Sequence, residues 1–376
     1  MKDISRLALK SAAFTISNKA LLGKCCRLFP RSALFAVWDS IKSQNLNKKH
    51  GARLMTQNFS DLQKKILKLK KEKKALILAH NYQTIDIQEI ADFVGDSLQL
   101  ARKSAEPNGY EMIIFAGVKF MAEMAAVLSP DVPVYIPDPR ALCPLAAYLD
   151  AEKIRQKKRE YPGVPVVVYV NTTAEAKAEA DYICTSGSAV EVVESLGVDR
   201  VIFGPDANLA NYVRVHTNVE IIDLDEEGHC YVHDRFEVSM LEDLKKRFPD
   251  SLAIAHPECP IEVQQAADMV GSTGMMAKTV ASTDAKIILI ATEMGMVQQL
   301  QKAHPEKTII PFFDGAVCRQ MKKHTLEKIL NVLESHPEEN LVTVPEEFVP
   351  HIKEILEKMN KVRGQGPPTA VAVETA

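Results

Sequence analysis

The sequence predicts an α/β protein made of three similar, small, Rossmann-like three-layer α/β domains set around a pseudo-threefold axis. Three observations predict it. A strand–helix–strand–helix–strand pattern occurs three times. Each copy carries a small-polar turn at the same place. Each copy also reaches a cysteine 26 residues after an equivalent strand: Gly117 to Cys143, Gly204 to Cys230 and Thr292 to Cys318. Self-similarity at a fixed period marks a repeated structural unit.

The elements follow in order. The first strands are the aliphatic runs ALILAH, VVVYVN and LAIAH, ending at His80, Asn171 and His256. Short β-branched or aliphatic runs are what buried parallel strands look like. Helical patterns follow: IQEIADFV, TAEAKAEA and PIEVQQAADMV. They run into the turns GDS, TSGS and GST. Second strands (IIFAG, VIFGP, IILIAT), second helices (FMAEMAAVL, ANLANYV, MVQQLQKA) and third strands (VPVYIPD, VEIIDLD, TIIPFF) complete each unit. Such units build a parallel sheet with helices on both faces. Functional groups then gather beyond the carboxyl ends of the strands. His80, Asn171, His256 and the three cysteines all fall there, so a threefold arrangement brings them to one central cavity.

The expected boundaries are residues 1–56 as an N-terminal extension, 57–145, 146–232 and 233–363 as the three units, and 364–376 as a Gly/Pro/Ala-rich tail. The first 54 residues hold eleven Lys/Arg against two acids, Asp3 and Asp39. That composition fits either an organelle transit peptide or an upstream extension of a core starting near Met55. The Lys-rich stretch Lys64–Lys74 also contains Ile66, Leu67 and Leu69 and follows Ser60. It reads as the solvated face of an amphipathic helix capped by Ser60, rather than a polyanion site.

Composition removes several classes. The chain has 376 residues, is 46% hydrophobic and 25% charged, and carries a net charge of −3. No strong field favours nucleic acid or an anionic membrane. No apolar run reaches the roughly 18–20 residues of a membrane span. No G-x-G-x-x-G follows a first strand, which argues against a dinucleotide-dependent oxidoreductase. Seven cysteines, an odd number, in a large chain point to a reducing compartment rather than a disulfide framework. The expected location is the cytoplasm, with organelle targeting by residues 1–54 as the alternative.

Three thiolates on three loops suit a zinc ion, three corners of a four-iron, four-sulfur (4Fe-4S) cluster, or simple packing. Structural zinc closes four ligands, commonly with C-x₂₋₄-C spacing, and no CxxC occurs in the chain. Three equivalent soft ligands with no evident fourth fit a cubane with one open iron. Ser97, Ser186 and Ser272–Thr273 sit at strand–helix junctions, where hydroxyls and backbone N–H groups cradle anions, or merely make turns. His80 with Tyr82, and His256 with Glu258, are candidate acid–base pairs. Tyr169 and Asn171 alternate along one strand and share a face. Cys184 and Cys259 lie near these groups and read as packing residues. Cys25 and Cys26, being adjacent, are poor ligands for one ion.

The motifs AHNYQ, GDSLQLAR, GVKFMAE, ALCPLA, VVVYVNTTAEAKA, TSGSAV, FGPDANLA, HCYVHDRF, HPECP, VGSTGMM and CRQMKKHTLEKI occur in order between about Ser60 and Lys361. The chain on this basis resembles the quinolinate synthase family of NAD biosynthesis. The resemblance implies three α/β domains around a 4Fe-4S cluster held by Cys143, Cys230 and Cys318. It implies condensation of iminoaspartate with dihydroxyacetone phosphate to quinolinate, a transferase-type synthesis that releases phosphate and water. It implies a substrate site lined by His80, Ser97, Tyr169, Asn171, Ser186, His256, Glu258 and Thr273. Tyr82, with His80 or Glu258, would shuttle protons. Expected partners are the two small substrates, L-aspartate oxidase, iron–sulfur assembly proteins and a second copy in a homodimer. The CxxC pair that some members carry beside the last ligand is absent, since Arg319, Gln320 and Met321 follow Cys318. The 54-residue extension is too short for the sulfur-transfer domain fused in plant relatives. Another cluster-dependent dehydratase or lyase acting on a polycarboxylate, and a non-enzymatic cluster-binding sensor, are the competing readings.

Overall fold

The structure is a computed structural model, and it describes residues 59–106 and 109–362. The extension read in residues 1–56, the tail read in 364–376, and Cys25 and Cys26 lie outside the described residues.

The first unit contains α1 (Asp61–Glu72), β1 (Ala75–His80), α2 (Ile85–Ile90), β2 (Phe93–Gly95), α3 (Ser97–Ser104), β3 (Met112–Ala116), α4 (Lys119–Leu128) and β4 (Val134–Tyr135). The second repeats this order as α5 (Ala151–Glu160), β5 (Val166–Tyr169), α6 (Ala174–Ala178), β6 (Tyr182–Cys184), α7 (Ala189–Ser195), β7 (Arg200–Gly204), α8 (Ala207–His216) and β8 (Glu220–Asp223). The third is α9 (Val238–Arg247), β9 (Leu252–Ala255), α10 (Ile261–Ala266), β10 (Met269–Val270), α11 (Thr273–Ser282), β11 (Ile287–Ala291), α12 (Met294–Ala303) and β12 (Thr308–Pro311). Two further helices follow, α13 (Leu326–Ser335) and α14 (Val349–Val362).

Each unit forms a four-stranded, all-parallel sheet, in the orders β2-β1-β3-β4, β6-β5-β7-β8 and β10-β9-β11-β12. The expected three strands per unit were one short. The ends of the patterns IQEIADFV and PIEVQQAADMV, and Tyr182–Cys184 in the second unit, are edge strands rather than helix or turn. The reason is a repeated aspartate. Asp92, Asp181 and Asp268 each accept a backbone N–H of the first strand, from Ile77, Val166 and Ala253, at 2.7–2.8 Å. Each also pairs with a lysine of the helix that precedes the first strand: Lys70 of α1, Lys158 of α5 and Lys245 of α9. This clamp halts the helix after the first strand and turns the chain alongside that strand.

Four residues before each aspartate, one side chain reaches back to the loop that ends the first strand. Gln88 Nε2 donates to the carbonyls of Asn81 and Gln83 at 3.2 and 3.0 Å. Gln264 Nε2 donates to those of Pro257 and Cys259 at 2.9 and 2.7 Å. Lys177 Nζ donates to the carbonyl of Thr172. Buried backbone groups need such partners, and these loops carry the residues of interest.

The Lys-rich stretch forms α1 as expected. Ser60 Oγ accepts from Gln63 N at 3.2 Å, while the Gln63 side chain accepts from Ser60 N at 2.9 Å, a reciprocal cap. Ile66 is buried, and Lys64, Lys65 and Lys68 face solvent.

The three units close into a ring. A helix starts eight residues after each cysteine: α5 after Cys143, α9 after Cys230, α13 after Cys318. The first packs in the second unit, against α6, and the second in the third unit, against α10. The third packs against α1 of the first unit. There Leu326, Ile329, Val332 and Leu333 join Ile66 and Ile77 in one core. The last helix, α14, lies on the second unit against β6, with His351 bonded to the carbonyl of Ala180 at 2.6 Å.

Candidate functional site

One cavity collects the carboxyl ends of the first strands of all three units. It encloses ≈ 770 Å³ of non-atom space, part of it open to solvent. His80, Tyr82, Ser97, Cys143, Tyr169, Asn171, Ser186, Cys230, His256, Glu258, Thr273 and Cys318 all line it. The structure therefore brings together every residue singled out as catalytic, substrate-binding or metal-ligating. Cys184 and Cys259 are buried beside it and are not among its lining; Cys259 Sγ meets the carbonyl of Ala291.

The strand-end histidines share one design. Tyr82 N–H donates to His80 Nδ1 at 3.1 Å, and Glu258 N–H donates to His256 Nδ1 at 3.3 Å. Each neutral ring therefore carries its proton on Nε2. Burial pushes both imidazoles down to about 3, so both stay neutral at ordinary pH.

Glu258 is 3% exposed and is the hub of the site. Its Oε1 accepts from Tyr169 Oη at 2.5 Å and from Asn171 Nδ2 at 3.4 Å. Its Oε2 lies 2.7 Å from His233 Nδ1. Burial alone would raise this carboxyl, but His233 beside it, with His256 and the Tyr169 hydroxyl, holds it well below the usual range. His233, with a fully buried ring, reaches Thr292 Oγ1 through Nε2 at 2.9 Å. Thr292 Oγ1 in turn lies 2.9 Å from Tyr82 Oη. One proton assignment satisfies all three links: Tyr82 O–H donates to Thr292, Thr292 O–H to His233 Nε2, and His233 Nδ1–H to Glu258. Burial and then the Glu258 charge push the Tyr82 phenol well above its ordinary value, so the resting group is protonated.

His233 and Thr292 were missed as site residues. Two signals pointed to them. His233 lies three residues past Cys230, and Thr292 stands where the other units carry Gly117 and Gly204. A hydroxyl replacing glycine at an equivalent position breaks the repeat.

The three small-polar turns lie at the cavity. Ser97 opens α3 behind its N-cap Asp96, and Thr273 opens α11 behind its N-cap Ser272. Both helix N-termini face the cavity, and Ser186 enters it from the loop before α7. Asn81 Nδ2 donates to Thr273 Oγ1 at 3.1 Å and ties the first unit to the third.

Cys143, Cys230 and Cys318 are free thiols, each partly exposed in this cavity. Burial pushes all three up, Cys143 to about 12. Neutral thiols here become good ligands only beside a strong local positive charge, which a metal supplies. A second donor group is Cys230, His233 and Glu258, whose ligand atoms lie within 4.8 Å of one another. Its histidine and glutamate are already bonded to each other. Among the described residues no helix is long and apolar enough to cross a membrane.

The sequence profile of the quinolinate synthetase A protein family matches residues 64–361. A quinolinate synthase from Methanothermobacter thermautotrophicus is 49% identical over 304 residues, covering 81% of this chain and 99% of that protein. One from a Thermotoga species is 48% identical over 299 residues, covering 80% and 99%. One from Pyrococcus furiosus is 45% identical over 303 residues, covering 81% and 98%.

Proposed function

The chain belongs to the quinolinate synthase family, and from that premise we propose that it condenses iminoaspartate with dihydroxyacetone phosphate to quinolinate, releasing phosphate and water. The observation that carries the reading is the hydrogen-bonded chain Tyr82–Thr292–His233–Glu258, whose two ends, Tyr82 and Glu258, line the same cavity as three thiols from three units while His233 and Thr292 are fully buried behind it.

The thiols fit a 4Fe-4S cluster. They are soft donors, one per unit, with no fourth cysteine among the cavity-lining residues. Cys143, Cys230 and Cys318 would hold it. When bound, it supplies a Lewis-acidic iron with one position free of protein ligands.

The chain's own residues do the rest. The N-termini of α3 and α11, with the hydroxyls of Ser97, Thr273 and Ser186, bind the phosphate and carboxylate groups of the two anionic substrates. His80 and His256 donate from Nε2 to substrate oxygens and orient them. Tyr82 takes a proton from substrate carbon or oxygen by passing its own through Thr292 to His233. The imidazolium so formed is stabilised by Glu258, as in other hydroxyl–imidazole–carboxylate chains. Tyr169, bonded to the other Glu258 oxygen, is a second proton donor on the opposite side of the hub. The same reading includes functional coupling to L-aspartate oxidase and to iron–sulfur assembly proteins, a homodimer, and a cytoplasmic location.

The test is direct. Anaerobically purified protein is given iminoaspartate and dihydroxyacetone phosphate, and quinolinate and phosphate are quantified. Stoichiometric release of both is expected, with little product from Tyr82→Phe. Turnover of a different hydroxy-polycarboxylate, with none of this pair, would replace the reading by another dehydratase.

A further inference from the structure

Where the threefold pattern is broken, the broken place is the informative one. In the second and third units an acid stands near the start of the helix after the central strand, and in the third it accepts the backbone N–H of the cysteine. Asp206 Oδ1 takes Leu209 N–H at 2.8 Å, whereas Glu293 Oε1 takes Cys318 N–H at 3.1 Å. In the first unit, the residue as far before Cys143 as Glu293 is before Cys318 is Val118. Asp206 Oδ2 has no hydrogen-bond partner. Glu293, fully buried, is paired with a lysine: Lys322 Nζ lies 3.0 Å from its Oε1 and 3.3 Å from its Oε2. The same Lys322 Nζ donates to the carbonyl of Tyr82, in the first unit.

The backbones meet at the same spot. Gly295, whose N–H donates to Glu293 Oε2 at 2.6 Å, lies so near the first unit that an added Cβ would stand 2.7 Å from Gln83 O and 2.8 Å from Tyr82 C. Thr292, which receives the Tyr82 hydroxyl, is the residue before Glu293. One ion pair, its Glu293 fully buried and its Lys322 partly so, thus touches the Cys318 loop, the start of α12 and the Tyr82 loop. Among the described residues it occurs only in the unit that abuts Tyr82.

We infer that Glu293 and Lys322 are positioning residues that lock the Cys318 loop to the Tyr82 loop, holding the Tyr82 hydroxyl on Thr292. The inference rests on the proposed role of Tyr82, and its geometric part stands apart from the reaction. Misplacing a reacting group by about 1 Å costs on the order of 100-fold in rate. Removing one partner of a buried pair leaves the other charge uncompensated, so Lys322→Met is read beside the doubly neutral Glu293→Gln/Lys322→Met variant.

The experiment uses the full chain purified anaerobically with its cofactor. For parent, Lys322→Met and the double variant it measures iron content, kcat and KM for both substrates, and amide hydrogen exchange. The expected result is parental iron content, a kcat lowered about 100-fold with KM nearly unchanged, and faster exchange at both Tyr82–Gln83 and Cys318–Met321 in both variants. The inference is overturned by a parental kcat in the double variant, by a kcat that falls only in proportion to lost iron, or by faster exchange confined to the Cys318 loop. If the parent forms no quinolinate, the proposed reaction fails, and the paired exchange change still decides the lock.

Discussion

Replacing His233 by alanine removes the middle of the proton chain. The ring is fully buried and makes two short contacts, 2.7 Å to Glu258 Oε2 and 2.9 Å to Thr292 Oγ1. Its loss has two separable consequences. Glu258 keeps Tyr169 and Asn171 as donors, but its charge loses the imidazole beside it. The resting ring is neutral, so Glu258 loses a hydrogen bond to a buried charge, and with two donors remaining this costs about 1.5–3 kcal/mol. With burial no longer opposed by His233, the Glu258 carboxyl rises from its depressed state and takes up a proton more readily. The second consequence is kinetic. Tyr82 loses the base that receives its proton, a contribution of about 10²–10⁴ in rate. His233 Nδ1 also lies 3.2 Å from Cys230 Sγ, so iron content must be measured alongside. The assay is quinolinate formed per iron-loaded chain at saturating substrates, with urea unfolding of the same preparations. A kcat within a fewfold of the parent would refute the relay, whatever happens to stability.

Other outcomes follow from the same geometry. Lys177, 1% exposed, stands where the other units use Gln88 and Gln264. Lys177→Gln therefore retains near-parental urea stability, whereas Lys177→Ala orphans the Thr172 carbonyl and costs about 1–3 kcal/mol. Glycine to alanine inside a helix ordinarily gains up to about 1 kcal/mol. Gly295→Ala is expected to lose stability instead, because its Cβ would meet backbone of Tyr82 and Gln83 below 3 Å; a higher thermal midpoint would contradict this. Acid should destabilise the fold. Burial lowers His80 and His256 to about 3 and His324 to about 4, against an unfolded value near 6.5. Between those limits the unfolded chain binds protons that the folded chain refuses, so stability is full above about pH 6.5 and falls as pH drops towards 4. Each histidine contributes up to about 1.4 kcal/mol per pH unit there. Urea midpoints at pH 7 and pH 5 check the sign, and His324→Gln should flatten the dependence.

The repeat made much of this visible in the chain. Equal offsets from Gly117, Gly204 and Thr292 select the three cysteines among seven, and strand ends select His80, Asn171 and His256. These are local, periodic signals. Edge strands of two or three residues carry too little pattern to separate from the helix before them, and the aspartate clamp that creates them acts across some fifteen positions. The proton chain was hidden for a different reason. His233 and Thr292 are 59 positions apart, and Tyr82 comes from another unit, so only the closed ring brings them within hydrogen-bond reach. That closure depends on α13 crossing back to the first unit, a contact no sequence period announces.

The central claim is that Cys143, Cys230 and Cys318 together hold one 4Fe-4S cluster. Iron and acid-labile sulfide, measured on anaerobically purified parent and on each single Cys→Ala variant, test it most directly. The account predicts about four irons and about four sulfides per parent chain, lost on replacing any one of the three. One zinc per chain, or a cluster that survives loss of any of these thiols, would contradict it.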